Sequence, residues 1–132
     1  MNQVPKAACV FMVNHPKQTI RVVNRPGSTV YALPGGKHEI GESTKETAIR
    51  ETMEETGIDI RGVVAETPFF TSMCYGEQDY LVNCFLAMPV TDDVSRGIEP
   101  DIESRMIPIS EFLADNAFPE FNKAAWDAFT KM

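Results

Sequence analysis

The stretch from Gly36 to Ile58 constrains the fold of this chain more than any other feature. It follows a proline–glycine–glycine corner, where glycines permit positive φ angles and a close approach of the backbone. Ser43 can cap the first turn of a helix, and Glu46 three residues later completes a capping box. Gly57 can end the helix in the left-handed conformation. The pattern predicts a glycine corner followed by a helix from about Thr44 to Thr56.

One side of this helix is unusually acidic. Glu51, Glu54 and Glu55 have the spacing i, i+3, i+4, which places side chains on one helix face. The opposite side gathers the apolar atoms of Ala48, Ile49, Thr52, Met53 and Thr56. Clustered carboxylates repel one another unless positive charge lies among them, and hard divalent cations prefer oxygen ligands. The helix is therefore predicted to hold a cation, with a solvated acidic surface as the alternative.

Strands are predicted on both sides of this helix. The apolar or β-branched runs are residues 7–13, 20–23, 58–65, 67–75, 80–88 and 106–109. Residues 67–75 are predicted as a strand or as an irregular continuation of the run before them. The first two flank a turn and predict a hairpin. Ser110 is expected to cap a short helix, and a C-terminal helix is expected to pack Phe121 and Phe129 on the sheet. Strands and helices without regular alternation predict one α+β domain over residues 1–132.

Charge and cysteine usage narrow the class of protein. The chain has 132 residues and a net charge of −7, which argues against stable nucleic-acid binding and against anionic membranes. A nucleotide substrate stays compatible, because metal ions can bridge phosphate to an acidic site. Cys9, Cys74 and Cys84 form no CxxC pair, and buried, reduced thiols are expected for the first and last. No signal-peptide pattern or membrane-length apolar run is found, so a cytoplasmic location is expected.

Eight residues at fixed spacing carry a family resemblance: Gly36, Glu42, Arg50, Glu51, Glu54, Glu55, Gly57 and Ile58. The pattern resembles the signature of the Nudix hydrolases, which cleave nucleoside diphosphates linked to another moiety. The flanking residues 32–37 are similar to small MutT-like members that hydrolyse nucleoside triphosphates. The resemblance implies an α/β/α sandwich with a mixed central β-sheet. Thr52 stands where the family has a bulky aliphatic residue, so we expect a local loss of packing and no loss of chemistry. Its hydroxyl can bond a carbonyl one turn earlier.

The resemblance also implies a metal centre. Mg²⁺ or Mn²⁺ would be held by the backbone carbonyl of Gly35 and by three carboxylates, those of Glu51, Glu54 and Glu55. Arg50 and Glu42 would form an ion pair that orients these ligands. A solvent-exposed pair of little energetic value is the alternative.

The general base has several candidates. Members of the family differ in which carboxylate acts as the base, and Glu54 is the first choice here. The alternatives lie in a downstream loop, at Glu99, Asp101 and Glu103. Glu99 or Glu103 would be an extra base, and Glu103 could also be a metal ligand. The alternative for that loop is that its charges only keep the protein in solution.

Substrate choice is expected to depend on residues outside the signature. Five aromatic residues are candidates to stack on a base, although most aromatic residues in strands belong to cores: Tyr31, Phe69, Phe70, Tyr75 and Tyr80. Lys37 would face phosphate or solvent. The favoured substrate is a (deoxy)nucleoside triphosphate, cleaved to the monophosphate and pyrophosphate. Tyr75, 17 residues after Ile58, resembles the tyrosine of diadenosine-polyphosphate members.

Two further alternatives stay open. A dinucleotide hydrolase is favoured by Tyr75, and a nucleotide-binding module without turnover would keep the fold. The intact glutamates argue against the module, since binding alone does not require all three. Small enzymes of the family are often dimers, so a homodimer is compatible with the sequence.

Overall fold

The computed structural model describes residues 5–24, 26, 30–62, 69–75, 78–87, 101–114 and 119–130, with the backbone alone for 69–75 and 119. The strands in these ranges are β1 (Lys6–Asn14), β2 (Thr19–Asn24), β3 (Gly35–Lys37), β4 (Phe69–Tyr75), β5 (Gln78–Ala87) and β6 (Glu103–Pro108). The helices are α1 (Thr44–Thr56), α2 (Ile109–Ala114) and α3 (Pro119–Thr130). None of these helices is long and apolar enough to cross a lipid bilayer.

The strands form one mixed sheet. Its order is β4-β5-β1-β2-β6, and β3 pairs with β1. β1 and β5 are parallel, whereas the other pairs are antiparallel. The predicted hairpin is confirmed, because β1 and β2 pair around the turn that follows Asn14. The short strand β3 positions the glycine corner, since Gly35 lies opposite Cys9 of β1.

One face of the sheet is covered by α1. Side chains of a strand alternate between the two faces, and β1 is buried on both. Val10 and Met12 of β1 pack with Ala48 of α1 and with Ile60, which follows the helix. This layer holds the predicted acidic helix against the sheet.

The other face is covered by α2 and α3. Phe11 of β1 lies at the centre of this layer, with its ring centroid 6.0 Å from that of Phe112 and 5.0 Å from that of Phe129. Phe121 packs against the same cluster, so the predicted packing of Phe121 and Phe129 on the sheet is confirmed. With α1 on the opposite face, the expected α+β fold and α/β/α sandwich are confirmed as well.

Both predicted ends of α1 are confirmed. Glu46 N donates to Ser43 Oγ at 3.1 Å, and Ser43 N donates to Glu46 Oε1 at 2.9 Å, which completes the capping box. Gly57 adopts φ of 75° and donates its N–H to Met53 O at 2.9 Å. These caps bind N–H and C=O groups that the helix itself leaves unpaired.

The strand predicted over residues 58–65 is wrong for its described part, 58–62. Residues 61–62 form a turn, in which Arg61 N donates to Asp59 Oδ1 at 3.1 Å. An aspartate that bonds the backbone two residues on favours a turn over a strand. The β-branched Ile60 is fully buried against α1 instead of taking part in strand pairing. Residues 63–65 lie outside the described ranges.

The predicted cap at Ser110 is also wrong. α2 begins at Ile109, so Ser110 lies inside the helix. Ile109 N donates to Gln18 O at 3.0 Å, in the turn between β1 and β2. The start of α2 is therefore fixed by tertiary contact with the hairpin, which local sequence does not reveal.

Two of the three cysteines face each other in the core. Cys9 and Cys84 are buried and unbridged, with their Sγ atoms 3.4 Å apart on paired strands. Their hydrogen bond and their burial raise the pKa of Cys9. A protonated thiol is a poor nucleophile, so the expectation of buried, reduced thiols is confirmed for this pair.

Candidate active site

Arg50 lies at the centre of a carboxylate cluster. Its Nε and Nη2 atoms donate to the two carboxylate oxygens of Glu42 at 3.1 and 2.8 Å. Its Nη1 donates to Glu51 Oε1 at 2.8 Å and reaches Glu54 Oε1 at 3.4 Å. The structure thus contains the ion pair anticipated between Arg50 and Glu42, and the same guanidinium also contacts two of the three candidate ligands.

Glu42 receives further donors besides Arg50. Thr47 Oγ1 donates to Glu42 Oε1 at 2.7 Å, and Glu39 N donates to the same oxygen at 3.0 Å. The hydrogen bonds from Arg50, then those from Thr47 and Glu39 N, lower the pKa of Glu42 to about 2. Conversely, Glu42 raises the pKa of Arg50. The carboxylate and the guanidinium are therefore both charged at neutral pH.

Thr47 is the site residue that sequence reasoning missed. It lies three residues before Arg50, and residues at i and i+3 share a helix face. That spacing is the signal that could have placed it beside Glu42. Its full burial depends on docking of α1 against the sheet, which the spacing alone does not show.

The glycine corner contacts the cluster from the other side. Gly35 N donates to Glu55 Oε1 at 2.8 Å. A Cβ atom built on Gly36 would lie 2.5 Å from Cδ of Glu51 and 2.7 Å from both of its carboxylate oxygens. The position of the Glu51 carboxylate therefore requires glycine at position 36, because the carboxylate fills the space that a side chain there would take.

The three glutamates do not share one open face, which corrects part of the sequence interpretation. The side chains of Glu51 and Glu54 are 17% and 34% exposed, whereas Glu55 is only 1% exposed. Glu55 follows Thr52 by three residues and Ala48 by seven, and both of those are fully buried. The same helical spacing therefore turns Glu55 toward the sheet, where the Gly35 N–H binds it.

The donors around the corner suit a hard divalent cation. Carboxylate and carbonyl oxygens are the ligands such ions prefer, and the space at Gly36 brings backbone and carboxylate close together. In the part of the chain that the structure describes, no three His, Cys, Asp or Glu side chains converge at metal-binding distances. Arg50 supplies the positive charge between Glu51 and Glu54 in this arrangement.

Lys37 and the two described tyrosines lie away from the carboxylates. Lys37 Nζ is 5.6 Å from the ring centroid of Tyr80, and Tyr80 belongs to the core layer under α2 and α3. Because neighbouring residues of a strand point to opposite faces, the Lys37 side chain and the Glu51 carboxylate beside Gly36 lie on opposite faces of β3. Tyr31 packs against the same layer, with the Arg105 guanidinium 5.3 Å from its ring centroid.

The remaining candidates are spread along the chain. Phe69, Phe70 and Tyr75 lie in β4, but their side chains are outside the described part of the structure. Glu99 also lies outside it. Glu103 is exposed at the start of β6, opposite Asn24, and Asp101 is exposed in the turn before it. No contact joins Glu103 to the Arg50 cluster among the described contacts.

Comparisons with known proteins agree with this architecture. A sequence model of the NUDIX domain matches residues 4–128. An ADP-ribose pyrophosphatase of Bacillus subtilis is 42% identical over 59 residues, which cover 45% of this chain and 31% of the relative. A second B. subtilis protein, provisionally named 8-oxo-dGTP diphosphatase, is 42% identical over 52 residues, covering 39% and 34%. The chain thus spans about a third of the length of these relatives.

The fold is also similar to solved structures. A MutT structure from work on the Aliivibrio salmonicida and Vibrio cholerae proteins superposes with a TM-score of 0.67 and 24% identity. The superposition covers 93% of this chain and 94% of that one. At this identity the likeness concerns the fold, and the arrangement of side chains described above is this chain's own.

Proposed function

The chain belongs to the NUDIX family, and we propose that it is a metal-dependent hydrolase of the pyrophosphate linkage in a nucleoside diphosphate linked to another group. The observation that carries this proposal is that the Arg50 guanidinium donates hydrogen bonds to Glu42 on one side and to Glu51 and Glu54 on the other. An arginine shared in this way orients several carboxylates beside the glycine corner.

The cation would be Mg²⁺ or Mn²⁺, held by Glu51, Glu54, Glu55 and the carbonyl of Gly35. When bound, such an ion offsets phosphate charge and acidifies water. Glu55 is already fixed by the Gly35 N–H, which favours a rigid ligand on the sheet side of the site. Glu51 and Glu54 are the more accessible carboxylates.

Glu54 is the proposed general base. It is the most exposed of the three glutamates, and its contact with Arg50, at 3.4 Å, is longer than that of Glu51, at 2.8 Å. It would take a proton from the attacking water as a new P–O bond forms, and the P–O bond to pyrophosphate breaks on the opposite side. Glu99 and Glu103 stay as alternative bases, and Glu103 is exposed enough to reach solvent.

A (deoxy)nucleoside triphosphate is the proposed substrate, with the monophosphate and pyrophosphate as products. The names of the two relatives, for ADP-ribose and for 8-oxo-dGTP, support a nucleotide substrate and do not choose between nucleotides. The Lys37 ammonium lies over the ring of Tyr80, so its side chain would have to move before it could contact phosphate. Tyr31, Phe70 and Tyr75 are kept as candidates for base contact, and Tyr75 favours the dinucleotide alternative.

Turnover with a substrate panel tests the proposal. The protein is incubated with Mg²⁺ and nucleoside triphosphates, ADP-ribose, diadenosine polyphosphates, FAD or nucleotide sugars, and products are identified by chromatography and ³¹P NMR. Release of pyrophosphate from a triphosphate is the expected result. Nucleotide binding without turnover of any compound would favour the binding module. A cytoplasmic homodimer is kept as a proposal that sedimentation and fractionation can check.

A further inference from the structure

The buried side of α1 carries hydroxyl groups where aliphatic side chains are usual. Thr47, Thr52 and Thr56 are all fully buried. Thr44, at the start of the helix, donates through Oγ1 to Asn83 Oδ1 of β5 at 2.5 Å. Polar contacts therefore take part in fixing this helix, and one of them reaches the proposed active site.

That contact belongs to Thr47. Its Oγ1 lies 2.7 Å from Glu42 Oε1 and 3.1 Å from the carbonyl oxygen of Ser43. A hydroxyl has one proton to donate, and the shorter contact is also the one to a charged acceptor. The proton of Thr47 therefore goes to Glu42, and no described residue other than Thr47 brings a side-chain hydroxyl to that carboxylate.

We propose that Thr47 is a positioning residue of the hydrolytic site, which acts through Glu42 on Arg50 and so on the cation-binding glutamates. Its catalytic consequence rests on the proposed function. Arg50 faces Glu42 through Nε and Nη2 and faces Glu51 through Nη1. If the Glu42 carboxylate turns away, Arg50 loses its two hydrogen bonds to Glu42. Its guanidinium can then move closer to Glu51 and Glu54.

An arginine drawn toward the glutamates competes with a divalent cation. The other groups around Glu42 do not replace the hydroxyl. Glu39 contributes a backbone N–H, its own carboxylate lies 3.8 Å from Arg50, and the ring of His38 contacts the backbone carbonyl of Glu42. Loss of the Thr47 hydroxyl is therefore expected to lower the affinity for the cation more than it lowers the stability of the fold.

The test compares Thr47→Val with Thr47→Ser in the full chain. Valine keeps the shape and removes the hydroxyl, whereas serine keeps the hydroxyl. Mn²⁺ binding, followed by electron paramagnetic resonance, is expected to weaken roughly tenfold in the valine variant, as for other residues that orient metal ligands, and to stay near wild type in the serine variant. This measurement needs no substrate, so it stands even if the protein hydrolyses none of the panel.

A double-mutant cycle separates positioning from packing. In a Glu42→Ala background, Thr47→Val is expected to have no further effect on Mn²⁺ binding, because the partner is gone. Thr47→Ala is a second hydroxyl-free variant, in case valine disturbs the buried helix. Equal losses for the serine and valine variants, unchanged Mn²⁺ binding in both hydroxyl-free variants, or an additive cycle would each overturn the proposal.

Discussion

Thr52 provides a direct test of how buried hydroxyls affect α1. It is fully buried, and its Oγ1 has no hydrogen-bond partner among the described residues. The bond to a carbonyl one turn earlier, which a threonine in a helix can make, is not formed by Thr52. Thr56 makes such a bond instead, from its Oγ1 to Thr52 O at 2.7 Å. Thr52→Val should remove the unpaired group and keep the shape of the side chain.

The expected gain follows from the cost of an unpaired polar group. Leaving a buried hydroxyl unpaired costs about 1–3 kcal/mol, and valine leaves no cavity because it is isosteric with threonine. Threonine and valine have similar helix propensities, so the backbone contributes little. We expect the free energy of unfolding to rise by about 1–2 kcal/mol. With an unfolding entropy of about 2.1 cal/mol/K per residue, this corresponds to a Tm increase of about 4–7 °C for a chain of this length.

Thr56→Val is the matched control. Thr56 is equally buried on the same helix, but its hydroxyl is bonded, to Thr52 O and from Ile58 N at 3.2 Å. Losing those bonds should lower stability by about 1–2 kcal/mol. Urea unfolding of both variants, followed by circular dichroism, gives the two values. A destabilised Thr52→Val variant, or two shifts of the same sign, would refute the reasoning.

Three further predictions concern the site. Gly36→Ala should displace the Glu51 carboxylate and reduce turnover, measured by pyrophosphate release, at least tenfold. The free energy of unfolding should change by less than about 1 kcal/mol, because the added methyl group meets only the flexible end of a side chain. Glu54→Gln should lower kcat by orders of magnitude with an unchanged thermal transition, and EDTA should abolish wild-type turnover until Mg²⁺ is restored. Arg50 lowers the pKa of the Glu42 carboxyl from 4.5 to about 2. The stability that ionised Glu42 contributes should therefore be complete above pH 4.5 and lost as the pH falls toward 2. Urea unfolding should show that the stability difference between wild type and Glu42→Gln shrinks over that window.

The local features of the site could be predicted from the sequence. The capping box at Ser43, the left-handed Gly57 and the contact between Arg50 and Glu42 all depend on residues within two or three turns of one another. Capping preferences determine the two ends of the helix, whereas the family resemblance implied the contact between Arg50 and Glu42, whose carboxylate lies before the helix. The glycine corner was predicted from the glycine pair itself, because glycine permits positive φ angles and a close approach of the backbone.

Features that depend on how α1 docks on the sheet could not be predicted. Burial of Glu55 follows from the rotation of the helix, which is set by the pairing of β3 with β1 and by the contact of Ala48 with the strands. The absence of a strand at residues 58–62 reflects a local Asp59–Arg61 turn that outweighs β-propensity.

The threonines of α1 suggest why the helix can hold a charged cluster in a fixed position. The hydrophobic effect is not directional, so burial of an apolar helix face does not by itself fix where a polar group points. Hydrogen bonds from Thr44 to Asn83 and from Thr47 to Glu42 are directional, and they connect the helix to the sheet and to the loop that carries Glu42. Their loss should shift the carboxylates by small distances without unfolding the helix. Catalysis by positioned charges is sensitive to such shifts, so removal of the Thr44 or Thr47 hydroxyl should lower activity sooner than stability.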